Sequence, residues 1–295
     1  MDSYWSDYVQ TTEELYVSRE CRFTDENKEL WLKHIGVEPG MKVLEVGCGG
    51  GVFCHKLKKL IPDLDITGLD RDRNHITYAR EKAKGLGLDC TFTEGDIGSL
   101  PFADETFDLV YSYTVAEHVP PDSFFGEQHR VLKSGGSISV LSVRTGLNLK
   151  DVTPDDRSEE EKELLGKLWS KDADIFDRYE VGKYEMTEHE YPHKLGQYGF
   201  RDIDVQMFTV IDHCPDNASV SGEEAVRQIN SRRIIALNQM RKGARLAPDA
   251  LTDEEERRLK DRINERYDKR LEKYGAGIPV WDFSTSTVLA VKGRK

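Results

Sequence analysis

The hydrophobic pattern alternates between two kinds of segment from residue 26 to residue 143. Short apolar runs predict strands, and they stand at residues 43–46, 65–70, 90–93, 107–113 and 137–143. The stretches between them repeat apolar residues every three or four positions, which predicts amphipathic helices. Strands that alternate with helices usually pair in parallel, so the pattern predicts a doubly wound α/β sheet with helices on both faces.

Two later segments complete the predicted sheet. Residues 199–210 alternate between apolar and polar side chains, and residues 284–291 form a final strand-like run, which gives seven strands in total. Residues 144–186 and 212–280 interrupt the alternation of strands and helices. They are predicted to be insertions into the domain that carries the sheet.

Both insertions are predicted to be largely helical, with helices at 158–169, 223–242 and 253–274. Two interpretations are open. Either the insertions lie over the carboxyl ends of the strands and shape a substrate pocket, or they pad the fold or form a dimer contact. The predicted organisation is an N-terminal segment at 1–25 followed by one domain at 26–295.

A glycine-rich turn, Gly-Cys-Gly-Gly-Gly, follows the first predicted strand and leads into a helix predicted at 52–60. Glycine allows positive φ and leaves room for a ligand beside the backbone, and the N–H groups that open a helix can face an anionic or polar ligand. The turn is therefore predicted to bind a nucleotide. No Lys-Ser or Lys-Thr follows it, which excludes a Walker loop. Val52 stands where a dinucleotide fingerprint that begins at Gly47 needs Gly or Ala, which disfavours that fingerprint.

Two acidic residues stand at the ends of the next two predicted strands. Asp70 can accept hydrogen bonds from both hydroxyls of a ribose, or it can cap the helix that follows. Asp96 can accept a hydrogen bond from an adenine amino group while Ile97 packs on the ring, or it can be a simple turn residue. The sequence alone leaves each of these alternatives open.

These features stand in the order and spacing of a known enzyme class. The motif Glu45-x-Gly47-x-Gly49-x-Gly51, followed by Asp70, Asp96, Glu-His-Val at 117–119 and Arg-Val-Leu-Lys-Ser-Gly-Gly at 130–136, resembles class I S-adenosylmethionine-dependent methyltransferases. The ordered set is most similar to their ubiquinone/menaquinone-biosynthesis-like branch, which methylates small molecules. The resemblance implies a Rossmann-like methyltransferase sheet whose last strand runs antiparallel, and S-adenosyl-L-methionine as the cofactor.

The resemblance also implies which residues contact the cofactor. The expected set comprises Glu45, Gly47, Cys48, Gly49, Asp70, Arg71, Asp96, Ile97, Tyr113, Thr114, His118, Trp5 and Tyr16. Within it, the backbone at 47–49 holds the methionine part, Asp70 holds the ribose, and Asp96 with Ile97 holds the adenine. Trp5 and Tyr16 lie in the N-terminal segment, which in this family often folds across the cofactor, although a surface helix packed on the core is an equal alternative.

Composition and charge narrow the choice of partners and location. The chain has 54 Asp and Glu against 42 Lys and Arg, and its net charge of −12 opposes binding to nucleic acid. Its five cysteines form no CxxC pair, so neither a zinc ribbon nor a disulfide framework is predicted. No apolar run approaches the roughly 18 residues of a membrane span, and the N-terminal residues lack the features of a signal peptide. These observations predict a cytoplasmic protein without a membrane partner.

The predicted function is methylation of a small-molecule acceptor. The fourth predicted strand ends in Tyr-Ser-Tyr-Thr at 111–114 without an acid that could start a set of metal ligands, so no metal is predicted. The sequence identifies neither the acceptor nor a catalytic residue. Two alternatives remain: methylation of a protein or peptide side chain, and a regulatory protein that binds the cofactor without catalysis. The chain is expected to be a monomer or a homodimer.

Overall fold

The computed structural model describes residues 5–149, 156–169 and 181–295 of the 295-residue chain. The described residues form two compact units. Unit 1 comprises the described parts of Met1–Arg22, Asn148–Tyr179 and Ile211–Thr285, and unit 2 comprises those of Phe23–Leu147, Glu180–Val210 and Ser286–Lys295. Each unit is therefore assembled from three segments that are separated in the sequence.

A seven-stranded sheet organises unit 2. Its strands are β1 (Lys42–Val46), β2 (Asp65–Asp70), β3 (Thr91–Glu94), β4 (Phe107–Tyr113), β5 (Leu132–Val143), β6 (Arg201–His213) and β7 (Ser284–Arg294). Their order is β3-β2-β1-β4-β5-β7-β6. Strands β1 to β5 pair in parallel, and β7 pairs antiparallel with β5. The predicted seven-stranded, mostly parallel sheet is confirmed, including its antiparallel last strand.

The described helices, in chain order, are α1 (Trp5–Tyr8), α2 (Thr12–Arg22), α3 (Lys28–Ile35), α4 (Val52–Leu60), α5 (Arg73–Leu86), α6 (Pro121–Val131), α7 (Glu159–Trp169), α8 (Glu190–Gln197), α9 (Gly222–Leu246) and α10 (Asp253–Gly275). Short 3₁₀ turns lie at Ala116–His118 and Thr145–Leu147. Helices α3 to α6 and α8 belong to unit 2, and the others belong to unit 1. None of the described helices is long and apolar enough to cross a membrane.

A cluster of aromatic side chains holds α4, the helix that follows the glycine turn, against the end of β4. The fully buried ring of Trp31 on α3 packs edge-on against Phe53 of α4 and Tyr113 of β4, with ring centroids 4.8 and 5.2 Å apart. A third edge-on contact joins Trp31 to Phe208 of β6 at 5.1 Å. Because edge-on aromatic pairs add to the stability that burial alone provides, this cluster holds α4 and the end of β4 in a fixed relation.

Strand β5 begins five residues earlier than the hydrophobic pattern predicts. The sequence Lys-Ser-Gly-Gly at 133–136 looks like a turn, but it lies inside the strand as an irregularity in the pairing between β4 and β5. Gly135 has φ +78°, and a Cβ on Gly136 would lie only 2.9 Å from the carbonyl oxygen of Lys133. The glycines therefore allow a distortion within the strand, which local sequence signals cannot distinguish from a turn.

Unit 1 is helical and has its own core. Helices α7, α9 and α10 share a buried apolar cluster that consists of Leu164, Leu168, Met240, Leu259 and Ile263. Helix α10 begins with a capping box in which Thr252 and Glu255 exchange hydrogen bonds. Residues 150–155 and 170–180 of the first predicted insertion lie outside the described residues.

Candidate cofactor-binding site

The turn between β1 and α4 owes its path to three glycines with positive φ. Gly47 has φ +68°, Gly49 has φ +53° and Gly51 has φ +81°. An L-amino acid with a side chain pays about 1–2 kcal/mol to adopt this region. The positive φ values that the sequence predicts for this turn are thus present.

Two of these glycines also lie where no side chain fits. A Cβ on Gly47 would lie 2.5 Å from Cγ2 of Val115, and a Cβ on Gly51 would lie 2.8 Å from the Phe92 ring and 2.9 Å from the Ala79 Cβ. Gly47 is therefore needed where the turn passes the segment after β4. Gly51 is needed where α4 starts against α5 and β3.

The turn is tied to the end of β2 by two hydrogen bonds. The N–H of Cys48 donates to the carbonyl oxygen of Leu69 at 3.0 Å. The N–H of Gly49 donates to Oδ2 of Asp70 at 2.8 Å. The predicted ribose-binding carboxylate and the glycine turn are consequently held side by side at the carboxyl edge of the sheet.

Asp70 is an ionised carboxylate fixed from several sides. Its Oδ1 accepts the N–H of Asp72 at 2.9 Å and lies 3.5 Å from Nδ1 of His75, whose side chain is buried. Burial opposes ionisation, but the neighbouring His75 and the N–H groups of Asp72 and Gly49 lower the pKa of Asp70 below its ordinary value. The N-cap of α5 is Asp72, which accepts the N–H of Asn74 at 2.9 Å. Asp70 is therefore not the capping residue that the sequence left as an alternative.

Glu45 lies behind the turn, on β1, in a buried network. One of its carboxyl oxygens, Oε2, accepts both the Cys54 thiol and the Tyr111 hydroxyl, each at 2.9 Å. Burial raises the pKa of the Glu45 carboxyl to about 7, although hydrogen bonds from Cys54 and Tyr111 act in the opposite direction. Glu45 thus links β1 to α4 and β4, and its predicted direct contact with the cofactor stays a prediction.

Replacing Glu45 with glutamine is expected to change how stability depends on pH. The folded protein holds a proton on Glu45 up to about pH 7, whereas the unfolded chain releases it near pH 4.5. The folded state binds more protons in this window, so the wild-type free energy of unfolding should fall as pH rises through it, on the order of 3 kcal/mol from this residue. Glu45→Gln removes that contribution. Urea unfolding at pH 5 and pH 8 measures it.

A matched variant, Glu38→Gln, removes an exposed carboxyl instead. The difference between Glu45→Gln and wild type should move in favour of glutamine from pH 5 to pH 8, while Glu38→Gln should follow the wild type. Parallel pH profiles for wild type and Glu45→Gln would show that Glu45 does not carry the proton.

Asp96 and Ile97 occupy a turn after β3. Oδ1 of Asp96 accepts the N–H of Gly98 at 2.7 Å, and the residue is exposed. Ile97 is buried and belongs to the main core of unit 2. Asp96 thus has the turn geometry that was one of the two alternatives from the sequence. Its contact with adenine stays a prediction.

The segment after β4 is strained and well anchored. Thr114 has φ +55°, a conformation that is rare for a β-branched residue. Its N–H donates to the Leu141 carbonyl oxygen at 2.8 Å. Tyr113 is buried, with its ring against Trp31 and Phe53. Strained residues concentrate at functional sites. Of Tyr113 and Thr114, Thr114 is therefore the stronger candidate for a contact with the cofactor.

His118 fastens a second segment to this edge of the sheet. Its Nδ1 accepts the N–H of Gly182 at 2.9 Å, and the carbonyl oxygen of Glu117 accepts the N–H of Tyr184 at 3.0 Å. A neutral imidazole that accepts at Nδ1 carries its proton on Nε2. In this structure the lone pair of Nδ1 is therefore engaged by the Gly182 N–H.

The other residues that are predicted to contact the cofactor lie in different environments. Burial raises the pKa of the Cys48 thiol well above its ordinary value, so Cys48 is a packing residue and not a nucleophile. Arg71 is exposed. Trp5 is half-buried on α1 and Tyr16 is buried on α2. Both aromatic residues belong to unit 1 whereas the turn belongs to unit 2, and the idea that they cover the cofactor stays a prediction.

Arg130 joins two segments that are about thirty residues apart in the sequence. Arg130 on α6 donates to the carbonyl oxygens of Leu100 and Phe102 at 3.0 and 2.8 Å. Glu127 pairs with Arg130 and also accepts the N–H of Leu100 at 2.8 Å. This network fixes the segment that follows Asp96 and Ile97, so it supports the expected adenine side of the site.

Sequence reasoning missed the residues that support the site from behind. His75 pairs with Asp70, Val115 limits the space at Gly47, and Cys54 and Tyr111 hold Glu45. Only His75 gave a signal in the sequence, since it lies in the first turn of the helix that follows Asp70. The other contacts join residues of different strands and helices, which no local pattern predicts.

The residues present fit an adenosyl group. A carboxylate has about four positions at which it can accept a hydrogen bond, and Asp70 keeps capacity beyond its bonds to Gly49 and Asp72. Glycine backbone stands beside it at the start of α4, where the orphan N–H groups of a helix are found. An apolar side chain, Ile97, follows the neighbouring strand. A ribose acceptor, backbone donors and an apolar contact are therefore supplied from three adjacent strands.

Residues 37–198, more than half of the chain, match a family described as a methyltransferase domain. The chain belongs to this family. The prediction of a class I S-adenosylmethionine-dependent methyltransferase is thereby confirmed at the level of the class, with S-adenosylmethionine as its cofactor. The contacts of the glycine turn and Asp70 with that cofactor stay predictions.

Curated relatives match somewhat more than a third of this chain. A cycloartenol-C-24-methyltransferase of Oryza sativa is 38% identical over 109 residues, which is 36% of this chain and 31% of that protein. A sterol 24-C-methyltransferase of Gibberella zeae is 38% identical over 116 residues, 38% of this chain and 30% of that protein. The match thus spans less than a third of the length of either relative.

Solved structures share the fold of the methyltransferase. A Haemonchus contortus phosphoethanolamine N-methyltransferase 2, determined with S-adenosyl-L-methionine, superposes with a TM-score of 0.53 at 17% identity. The superposition covers 99% of this chain and 59% of that one. At this identity the likeness concerns the fold alone.

Proposed function

We propose that this protein transfers a methyl group from S-adenosylmethionine to a small-molecule acceptor. The observation that carries the proposal is the hydrogen bond of 2.8 Å between the Gly49 N–H and the Asp70 carboxylate. It joins the Asp70 carboxylate, the proposed ribose acceptor, to the turn that opens α4. This arrangement supports the binding of an adenosyl group. Membership of the methyltransferase-domain family supports the same donor.

Bound S-adenosylmethionine supplies a methyl group on a positively charged sulfur. In the proposed reaction a nucleophilic atom of the acceptor attacks the methyl carbon in line. The new bond to carbon forms as the carbon–sulfur bond breaks, and the electron pair of the broken bond returns to sulfur. The acceptor loses a proton if its nucleophilic atom carries one. The contribution of the protein is mainly to align the two reactants.

The residues of this chain have distinct parts in that alignment. The backbone at 47–49 binds the methionine part, and Asp70 binds the ribose. His118 is a positioning residue, because its Nδ1 holds the segment at Gly182. The chain therefore binds and orients the donor, and the choice of acceptor decides whether a base is needed.

A small acceptor is favoured by the relatives. The two curated relatives are named for methylation at carbon 24 of a sterol or of cycloartenol, and a lipid-like small molecule is the acceptor class that these names support. The ubiquinone/menaquinone-biosynthesis-like branch is the placement that we propose within the class. That placement is supported by the ordered motifs from Glu45 to Gly136 that resemble this branch.

Incubation of the protein with a metabolite extract and S-adenosylmethionine tests this function. The expected result is at least one small molecule that gains 14 Da, together with an equal amount of S-adenosylhomocysteine. The same extract with Asp70→Ala protein is the control and should give less of both products. A methyl group found only on proteins of the extract would favour the protein-methylating alternative. Tight cofactor binding with no product in any fraction would favour the regulatory alternative.

A further inference from the structure

Two exposed histidines stand one helical turn apart at the start of α8. The sequence His-Glu-Tyr-Pro-His at 189–193 places His189 just before the helix and His193 in its first turn. All eight histidines of the chain lie within the described residues, and these two are the exposed ones. A solute can therefore reach both side chains directly.

Helical spacing brings the two side chains to one face. Residues four positions apart are neighbours on a helix surface, and His189 already has helical backbone angles, with φ −74° and ψ −34°. The buried residues Tyr191 and Leu195 occupy another face of α8, which packs into the main core of unit 2. Core packing therefore fixes the helix that carries the pair, while the pair itself stays exposed.

The distance between the two rings suits one shared metal ion. Their centroids lie 4.6 Å apart. A transition metal binds an imidazole nitrogen at about 2.0–2.1 Å, and two such bonds at about 90° place the ring centres roughly 4.5–4.7 Å apart. Right angles between neighbouring ligands are typical of square-planar and octahedral ions such as Cu²⁺ and Ni²⁺. The pair already has the separation of two ligands of such an ion.

Coordination by nitrogen, and not charge, would provide the binding energy. Charged side chains of both signs surround the pair, and they balance in number. They are Glu185, Glu188 and Glu190 against Arg144, Lys183 and Lys194. Hard cations such as Mg²⁺ and Ca²⁺ need a set of oxygen ligands, whereas imidazole suits copper, nickel and zinc. The pair therefore favours a transition metal over Mg²⁺ or Ca²⁺.

The same five residues match the His-Glu-x-x-His motif of zinc metalloproteases, in which the glutamate acts as a general base. Here Oε2 of Glu190 accepts the N–H and the hydroxyl of Thr187, at 2.8 and 2.9 Å. These bonds tie the start of α8 to the segment before it. No group of three or more His, Cys, Asp or Glu residues that could hold a metal occurs within the described parts of the chain. The motif thus offers two protein ligands, which fits metal binding without hydrolysis.

We infer that His189 and His193 form a surface site for a divalent ion of copper, nickel or zinc, with water in the other coordination positions. The bound ion joins the residue before α8 to the first turn of the helix, so it stabilises the folded protein. The sequence predicts no metal at the end of β4, and this site lies elsewhere, on α8. It does not depend on the proposed methyl transfer.

Calorimetric titration of the untagged full-length protein with Ni²⁺ tests the inference. The wild type should bind about one Ni²⁺ at the pair, and His189→Ala or His193→Ala should each weaken binding at least about tenfold, because a single imidazole remains. Mg²⁺ is the control ion, and neither substitution should change its heat of titration. A saturating concentration of Ni²⁺ should raise the urea midpoint of the wild type and leave that of the double variant unchanged.

A variant with the same number of histidines tests the spacing. His193→Ala combined with Lys194→His moves the second imidazole by about 100° around the helix. Its binding should stay as weak as that of His193→Ala. Both histidines are exposed, so their substitution leaves the core intact. The inference would be overturned by absence of Ni²⁺ binding in the wild type, by unchanged affinity in the double alanine variant, or by full affinity in the variant with altered spacing.

Discussion

Replacing Gly47 with alanine is expected to lower the free energy of unfolding by about 3 kcal/mol and to weaken S-adenosylhomocysteine binding at least about tenfold. Two costs add: about 1–2 kcal/mol for a side chain at positive φ, and about 1–3 kcal/mol for overpacking against Val115. The added Cβ would lie 2.5 Å from Cγ2 of Val115, so the turn must shift away from its ligand-binding position. Urea unfolding measures the first effect, and calorimetric titration measures the second.

Gly40→Ala is a matched control for this variant. Gly40 has φ +77°, similar to Gly47, but a Cβ there meets nothing within 4 Å. It should therefore show only the cost of positive φ and leave ligand binding intact. Val115→Ala removes both methyl groups that obstruct Gly47→Ala, so the double variant should recover part of the lost stability. If Gly47→Ala behaved like Gly40→Ala, close packing at the turn would not be the reason for the glycine.

Replacing Asp70 with alanine is expected to weaken S-adenosylhomocysteine binding by about 2–3 kcal/mol, or roughly 30- to 150-fold. Loss of two hydrogen bonds from ribose hydroxyls to an ionised acceptor accounts for an effect of this size. The Gly49 N–H also loses its acceptor, which removes a bond that shapes the turn. Calorimetric titration of the variant against wild type gives the value directly.

Asp72→Ala separates damage to the helix from loss of the ligand contact. Asp72 caps α5, so its removal should cost about 1 kcal/mol of stability with little effect on affinity. Asp70→Asn keeps one acceptor oxygen and should fall between wild type and Asp70→Ala. Unchanged affinity in Asp70→Ala would remove Asp70 from the cofactor site.

The fold was largely predictable because its strands are short, apolar and separated by clear helical periodicity. The predicted bounds of α4, β2 and β4 match the structure, since glycines or polar residues mark their ends. The start of β5 could not be predicted in the same way. A pair of glycines inside a distorted strand gives the same local signal as a turn.

The residues that hold the candidate site from behind were harder to predict from the sequence than the residues at its edge. Gly47 and Asp70 follow strand ends and have a recognisable spacing. The buried network of Glu45 joins β1 to Cys54 on α4 and to Tyr111 on β4, and no periodicity predicts which side chains meet across elements. For the same reason, the amphipathic stripes of α9 and α10 indicate buried faces but not the ion pairs of Arg270 with Asp216 and Asp282.

The order of the strands has a consequence for the way the sheet forms. Strand β7 is the last in the chain, yet it lies between β5 and β6. On a ribosome that makes the chain from its N-terminus, β6 thus has no neighbour to pair with in the described sheet until β7 emerges. Contacts of such long sequence separation form slowly, so the edge formed by β5 stays open to other strands while residues 144–283 are made. The sheet therefore closes only after the two long helices between β6 and β7 have been made.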